Sequence, residues 1–303
     1  MSRVKYEHIR FQAKTLKAIQ QADTICEEYA LQGFALTGRQ LFYQLVSRNE
    51  VLNDPDEYKK LLENVRKGRM SGLVDWDHIV DRTRQVHIPS SYEHAGQILE
   101  ESAMLFRRDP WEASNQGIRP EVWVEKDALI DVVEQACNPY QVPCMSIRGY
   151  SSITALRDGA LRLKRHMDRG LRPIVFYLGD HDPTGLQIAE NIGEKLALFA
   201  GEPIKVNRIG LTLEQVRIYG PPPNTPKETD SRTRDYVAQF GNECWELDAL
   251  EPRDIINLIQ DHLRGCITDV DSWNQVKTED AETRNQLLEF ASTFNPGGDR
   301  ESR

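Results

Sequence analysis

Apolar side chains recur at near-helical spacing through the first part of the chain. Phe11, Leu16, Ile19 and Ala22 lie in a stretch, 7–32, with no proline or glycine and few strand formers, which predicts a helix. Thr37 can cap a second helix over roughly 38–48. A third, roughly 55–68, opens at Pro55 and carries Tyr58, Leu61, Leu62 and Val65 on one face. It runs into Arg66-Lys67-Gly68-Arg69, and Gly72–Val80 then reads as a short extended or turn segment leading to Asp81-Arg82-Thr83-Arg84. The polar, turn-rich stretch 107–119 marks a domain boundary, giving an N-terminal domain over 1–110 and a C-terminal one over 119–303.

Beyond that boundary the pattern alternates. Strands are predicted at 121–124, 144–147, 173–178 and 204–209, with helices at 127–137, 152–169 and 184–199 between them. Such alternation means βαβ units, a parallel sheet and an α/β fold class. Residues 220–235 form a proline-rich loop, the chain is helical from Asp254, and the tail from Asn295 is expected to be disordered.

Composition narrows the field. With 39% hydrophobic and 28% charged residues in 303, the chain reads as globular. No apolar run approaches the ~20 residues that span a bilayer, and Met1–His8 has no apolar signal core, so a cytoplasmic location is expected. Five scattered cysteines without zinc-type spacing argue against a disulfide scaffold or a structural zinc site. The net charge of −9 looks wrong for a nucleic-acid protein, but residues 1–110 are balanced and residues 221–303 carry −8. The first two thirds can therefore still present a basic face. Several short helices followed by Lys59, Lys60, Arg66, Lys67, Arg69, Arg82 and Arg84 suit a winged-helix DNA reader; an ordinary helical domain with a solvated basic face fits the pattern as well.

The strongest local chemistry is Phe176-Tyr-Leu-Gly-Asp-His-Asp-Pro-Thr-Gly185, an apolar strand ending in Asp180 and Asp182. At i and i+2 of an extended chain both carboxylates face one side, at the strand end where α/β sheets bind ligands. Like charges so close call for a cation or a shared proton, and oxygen ligands suit Mg2+. The alternative is that both are turn and cap residues, with Thr184 capping the next helix. Glu125 ends an earlier strand and adds a third acid at the same edge, with Lys126 beside it as a phosphate contact. Glu246 and Asp248 form another i, i+2 pair, read here as a solvated strand edge in the acidic third. Alternation points His181 away from the aspartates. The turn Gly149–Ile153 offers backbone amides and the Ser151 or Ser152 hydroxyl to a phosphate.

Glu125 at one strand end and Asp180-x-Asp182 at a later one resemble the Toprim domain of topoisomerases, primases and related nucleases. The continuation Asp180-His-Asp-Pro-Thr-Gly-Leu-Gln-Ile188 is more specifically similar to the topoisomerase VI A subunit and the meiotic double-strand-break transesterase. That resemblance implies a winged helix bearing a nucleophilic tyrosine in an Arg-x-aliphatic-aromatic-Tyr motif. Arg39-Gln-Leu-Phe-Tyr43 matches it, with Tyr43 in the nucleophile position. One helical turn separates Arg39 from Tyr43, so the arginine can hold the scissile phosphate or favour the phenolate. The stretch from Tyr58 to Arg84 and Trp245–Leu250 are similar to small stand-alone A-type homologues of prokaryotes and mobile elements.

The resemblance implies Mg2+-dependent cleavage of duplex DNA through a 5′-phosphotyrosyl link. Glu125, Asp180 and Asp182 would hold the metal, Tyr43 and Arg39 would carry the chemistry, and Lys126, Arg66, Lys67, Arg69, Arg82 and Arg84 would contact DNA. It further implies a homodimer in which one subunit's tyrosine meets the other's metal, association with the nucleoid, and a separate ATPase or regulatory partner, since the chain has no Gly-x-x-x-x-Gly-Lys loop. Two rivals stay open: a Toprim nuclease that hydrolyses with water, and a non-catalytic DNA-binding protein.

Overall fold

The structure is a computed structural model that describes residues 3–80, 89, 91–147, 153–226 and 232–293. Three helices open it: α1 (Ala13–Ala30), α2 (Gly38–Ser47) and α3 (Pro55–Met70). Thr37 caps α2 through a reciprocal pair: its hydroxyl accepts from Gln40 N at 3.2 Å while Gln40 Oε1 accepts from Thr37 N at 2.9 Å. Asp54 caps α3, with Pro55 in the first helical position. Ile19, Leu41, Leu61, Val65 and Val74 close a core between the helices, and Leu36 bridges Ile79 in parallel. Among the described residues no hairpin accompanies these helices. Arg82 and Arg84 lie outside the described residues, as do residues 148–152 of the expected phosphate-binding turn and the tail from 294.

Two short helices follow, α4 (Ala95–Leu105), for which the sequence predicts no element, and α5 (Pro110–Ala113), inside the stretch 107–119 that it marks as a boundary. The alternating part then runs β1 (Ile118–Val124), α6 (Ile130–Cys137), β2 (Cys144–Ser146), α7 (Ile153–Met167), β3 (Arg172–Leu178), α8 (Pro183–Ala200) and β4 (Lys205–Gly210). After it come α9 (Leu213–Tyr219), α10 (Thr233–Phe240), α11 (Pro252–Arg264) and α12 (Val270–Thr293). The four strands form one all-parallel sheet in the order β2-β1-β3-β4. The expected α/β class is what the chain adopts.

Both faces of the sheet are covered, as βαβ crossovers require. Val122, Val124, Phe176 and Leu178 point to the side of α6 and α11, while Trp123, Val175 and Tyr177 point to the side of α7 and α8. Gly159 on α7 is where the second layer comes closest, since a Cβ there would lie 2.9 Å from the Trp123 ring. Gly159→Ala is therefore expected to cost about 1–2 kcal/mol, overpacking outweighing the gain in helix propensity. A melting midpoint equal to or above that of the wild type would contradict this packing.

The chain from 95 to 110, which the sequence groups with the first three helices, packs instead on α12. Arg108 fixes it there, donating from N (2.9 Å) and Nε (2.6 Å) to the buried Asp280 carboxylate. Trp111 of α5 is fully buried, edge-on to Trp273 at 4.8 Å. On the other side, α2 rests on the 3-10 turn Leu247–Ala249, and Ala249 joins the core of the first three helices. That contact brings α2 to the carboxyl edge of the sheet. Among the described residues no helix is long and apolar enough to cross a membrane.

Candidate active site

At the carboxyl edge, β1 and β3 end in register, Val124 opposite Leu178. Glu125 N donates to Leu178 O at 2.8 Å, and Glu125 Oε2 accepts from Asp180 N at 3.0 Å and from the Tyr177 hydroxyl at 3.3 Å. Gly179 lets this happen, because a Cβ there would stand 2.7 Å from that carboxylate oxygen. Asp180 is 6% exposed; its Oδ1 accepts from Leu247 N at 2.8 Å. Asp182, not Thr184, caps α8, accepting from Gly185 N at 2.5 Å. The cap reading thus holds for one aspartate of the pair and not for the other.

The loop between these acids is clamped from below. Arg208, half-buried on β4, donates to the carbonyls of Asp180 (2.6 Å), Gly185 (2.6 Å), Leu211 (2.9 Å) and Gly179 (3.1 Å). Burial pulls its pKa down, against the pull of the nearby Tyr177 and Glu125. His181 turns away from the acids, as alternation predicts, onto the rings of Tyr236, Phe240 and Trp245. Its backbone pairs with Trp245 through bonds of 2.8 and 3.0 Å. This antiparallel bridge carries Glu246 and Asp248 into the site. They are no solvated strand edge: Asp248 is 1% exposed. Their i, i+2 spacing was the available signal, and the acidity of the surrounding sequence hid it.

Lys126 lies among the acids rather than on the surface. Its ammonium is 3.0 Å from Asp180 Oδ2, 2.8 Å from Glu246 Oε2 and 2.8 Å from Asp248 Oδ1. Burial works against that charge, yet Asp180, Asp248 and Glu246 together raise its pKa. Arg39 reaches across from α2 to Glu246 and Asp248, and Asp248 Oδ2 lies 3.1 Å from Arg39 Nε. That approach lacks hydrogen-bond geometry, so among the described residues Asp248 Oδ2 has an ion-pair partner but no hydrogen-bond donor. Arg39 Nη2 also donates to the Tyr43 hydroxyl at 3.1 Å, and its guanidinium lies over the Tyr43 ring. The helical spacing of the two residues therefore becomes a direct contact.

Tyr43 itself is 4% exposed. Its pKa is pushed up to about 12, first by burial and then by the Glu246 charge, which Arg39 only partly offsets. The phenolate, one of the two roles open to Arg39, is thus disfavoured, by burial first and then by Glu246, which together outweigh the arginine. Burial likewise raises Glu125, with Asp182 adding repulsion, and lifts Asp180 to about 7 despite Lys126. Glu246 is held down at about 2: burial opposes ionisation, but Lys126 and Arg39 prevail.

All these groups line one cleft of about 830 Å³: Arg39, Tyr43, Glu125, Lys126, Asp180, Asp182, Glu246 and Asp248, with Asn53 and Asn224 at its rim. Asn224, unsuspected from sequence because it sits in a proline-rich loop, donates to Glu246 Oε1 at 3.2 Å and hydrogen-bonds Tyr43. The other basic candidates lie elsewhere. Arg66 and Lys67 are paired with Glu63 on the exposed face of α3. Arg69 donates to the Trp76 carbonyl at 2.9 Å and to the Ile79 carbonyl, stacks on the Trp76 ring, and so braces its own segment.

The donor set fits a hard divalent cation in kind. It is all oxygen, five carboxylates face two cations, two of the acids are pushed toward neutrality, and one buried carboxylate oxygen has no donor. As the side chains stand, no three His, Cys, Asp or Glu among the described residues meet closely enough to hold a metal, and the Lys126 ammonium is the cation that the acids surround. Neither a scan against protein-family models nor a search of curated proteins finds a match to this chain.

Proposed function

We propose that the protein cleaves duplex DNA by transesterification, with Tyr43 as nucleophile, in a winged-helix and Toprim-like arrangement. The observation that carries this reading is the shared cleft: the phenol, its arginine and the acids Glu125, Asp180 and Asp182 line one cavity at the carboxyl edge of a parallel sheet. Tyr43 Oη would attack a backbone phosphorus. One P–O bond forms to the phenol as the P–O3′ bond breaks, and the proton lost by the phenol is matched by one gained at the 3′ oxygen. Arg39 and Lys126 hold the phosphate oxygens. Mg2+ held by Glu125, Asp180 and Asp182 would neutralise charge on the phosphate and on the leaving oxygen. A homodimer would set one such cleft on each strand, with the tyrosine and the acids in each cleft drawn from the same subunit rather than paired across subunits as the resemblance implies.

Two experiments test this. Supercoiled DNA is incubated with the protein and Mg2+, and the reaction is stopped with detergent. Protein attached to 5′ ends supports transesterification; cut DNA with free ends overturns it. The second outcome is the hydrolytic reading, which the elevated pKa and the burial of Tyr43 favour. Separately, saturating Mg2+ is expected to stabilise the wild type by about 1.5–3 kcal/mol and to leave Asp182→Asn and Glu125→Gln nearly unmoved. Equal stabilisation of all three proteins in calorimetry would remove the metal from this site.

A further inference from the structure

Glu246 is an anion gripped by donors of the kind that grip a phosphate. Its Oε2 contacts Arg39 and, at 2.8 Å, Lys126; its Oε1 accepts from Asn224 at 3.2 Å. A guanidinium, an ammonium and an amide converging on two oxygens match two oxygens of a phosphodiester equally well. We propose that Arg39, Lys126 and Asn224 form a phosphate-binding subsite that Glu246 fills from within, so that a nucleic-acid backbone enters only by displacing this carboxylate.

Three observations single out Glu246 among the acids. Its side chain is 23% exposed to the cleft, against 0% for Asp248 and 9% for Asp180, so it alone among these three can swing out into water. Lys126 keeps Asp180 and Asp248 when Glu246 leaves, and Arg39 keeps Asp248, so no cation is stranded. Finally, Glu246 stands on extended backbone just ahead of the turn Leu247–Ala249, and its side chain makes no cap bond to that turn. The fold does not need the carboxylate where it is. Asp248 and Asp180, by contrast, are buried beneath it.

The inference rests on the proposed function for its substrate, but its test does not depend on cleavage. Binding of a short fluorescent DNA duplex is measured by anisotropy in EDTA at low salt. Glu246→Gln is expected to bind about tenfold tighter than wild type. Glu246→Asp, too short to span both cations, is expected to gain about threefold. Adding Arg39→Gln to Glu246→Gln is expected to erase the gain. Affinity unchanged or weaker in both single variants, with an unchanged melting midpoint, overturns the proposal. So does a gain that survives loss of Arg39, or a Glu246→Gln effect confined to Mg2+ stabilisation, which would make Glu246 a metal ligand. Tighter binding without covalent attachment sinks the cleavage reading alone; covalent attachment with unchanged affinity sinks this one alone.

Discussion

With Tyr43 changed to phenylalanine, DNA ends released in detergent are expected to carry no attached protein, a fall of at least about 1000-fold. The substitution removes only the hydroxyl. The ring keeps its packing against Phe42 at 5.8 Å, and what is lost is the hydrogen bonding to Arg39 and Asn224. That costs about 1 kcal/mol of stability, far too little to account for such a loss through unfolding. The elevated pKa adds a second expectation. A phenol titrating near 12 is protonated at neutral pH, so its reactive form grows with pH across the working range. Single-turnover attachment should therefore climb between about pH 7 and pH 9. Persistent cutting by Tyr43→Phe with free ends would make water the nucleophile, and a flat pH profile would mean that proton loss does not limit attack.

Arg208→Met is expected to lower stability by about 3–5 kcal/mol, or roughly 10 °C in melting midpoint. Two effects compete. Methionine relieves the desolvation of a half-buried cation that forms no salt bridge among the described residues, which by itself would stabilise. Against that, the carbonyls of Gly179, Asp180, Gly185 and Leu211 all lose a charged donor, and buried acceptors are costly to leave unmet. Four lost bonds outweigh one relieved charge. The loop has little room to compensate, since a Cβ on Gly185 would overlap the Asp180 carbonyl. The same loop positions Asp180 and Asp182, so Mg2+ stabilisation should vanish with it. Arg208→Lys, a compact ammonium that cannot span four acceptors, should fall between the two. A midpoint within a degree or two of wild type for Arg208→Met would show that the loop holds its shape without the clamp.

Much of this architecture was readable along the chain. Local periodicity is a property of neighbouring residues, so α2, α3 and the four strands were predicted within a few residues of where they lie. Placing Glu125 and Asp180 at the same edge needs only the alternation of elements and the parallel sheet it implies, but their adjacency needs the order β2-β1-β3-β4, which alternation leaves open. Elements whose burial comes from distant partners were harder. The helix α4, unassigned from the sequence, packs on α12, a partner more than 150 residues away.

By itself, then, the sequence determined the parallel sheet, the acids at its edge and the turn of helix that sets Arg39 beside Tyr43, because these follow from spacing within segments and from the order of strands and helices along the chain. Only the tertiary structure decided that α2 meets that edge, that Glu246 and Asp248 fold inward on the His181–Trp245 bridge, and that Arg208 serves backbone carbonyls. It also decided the charge state of the cleft, for a side chain's pKa depends on its burial and on charges brought from elsewhere in the chain. Arg39 illustrates the division. Its spacing from Tyr43 allows it to hold a phosphate or to favour a phenolate, yet burial of the phenol and the charge of Glu246, some 200 residues further along, outweigh it and raise the phenol's pKa.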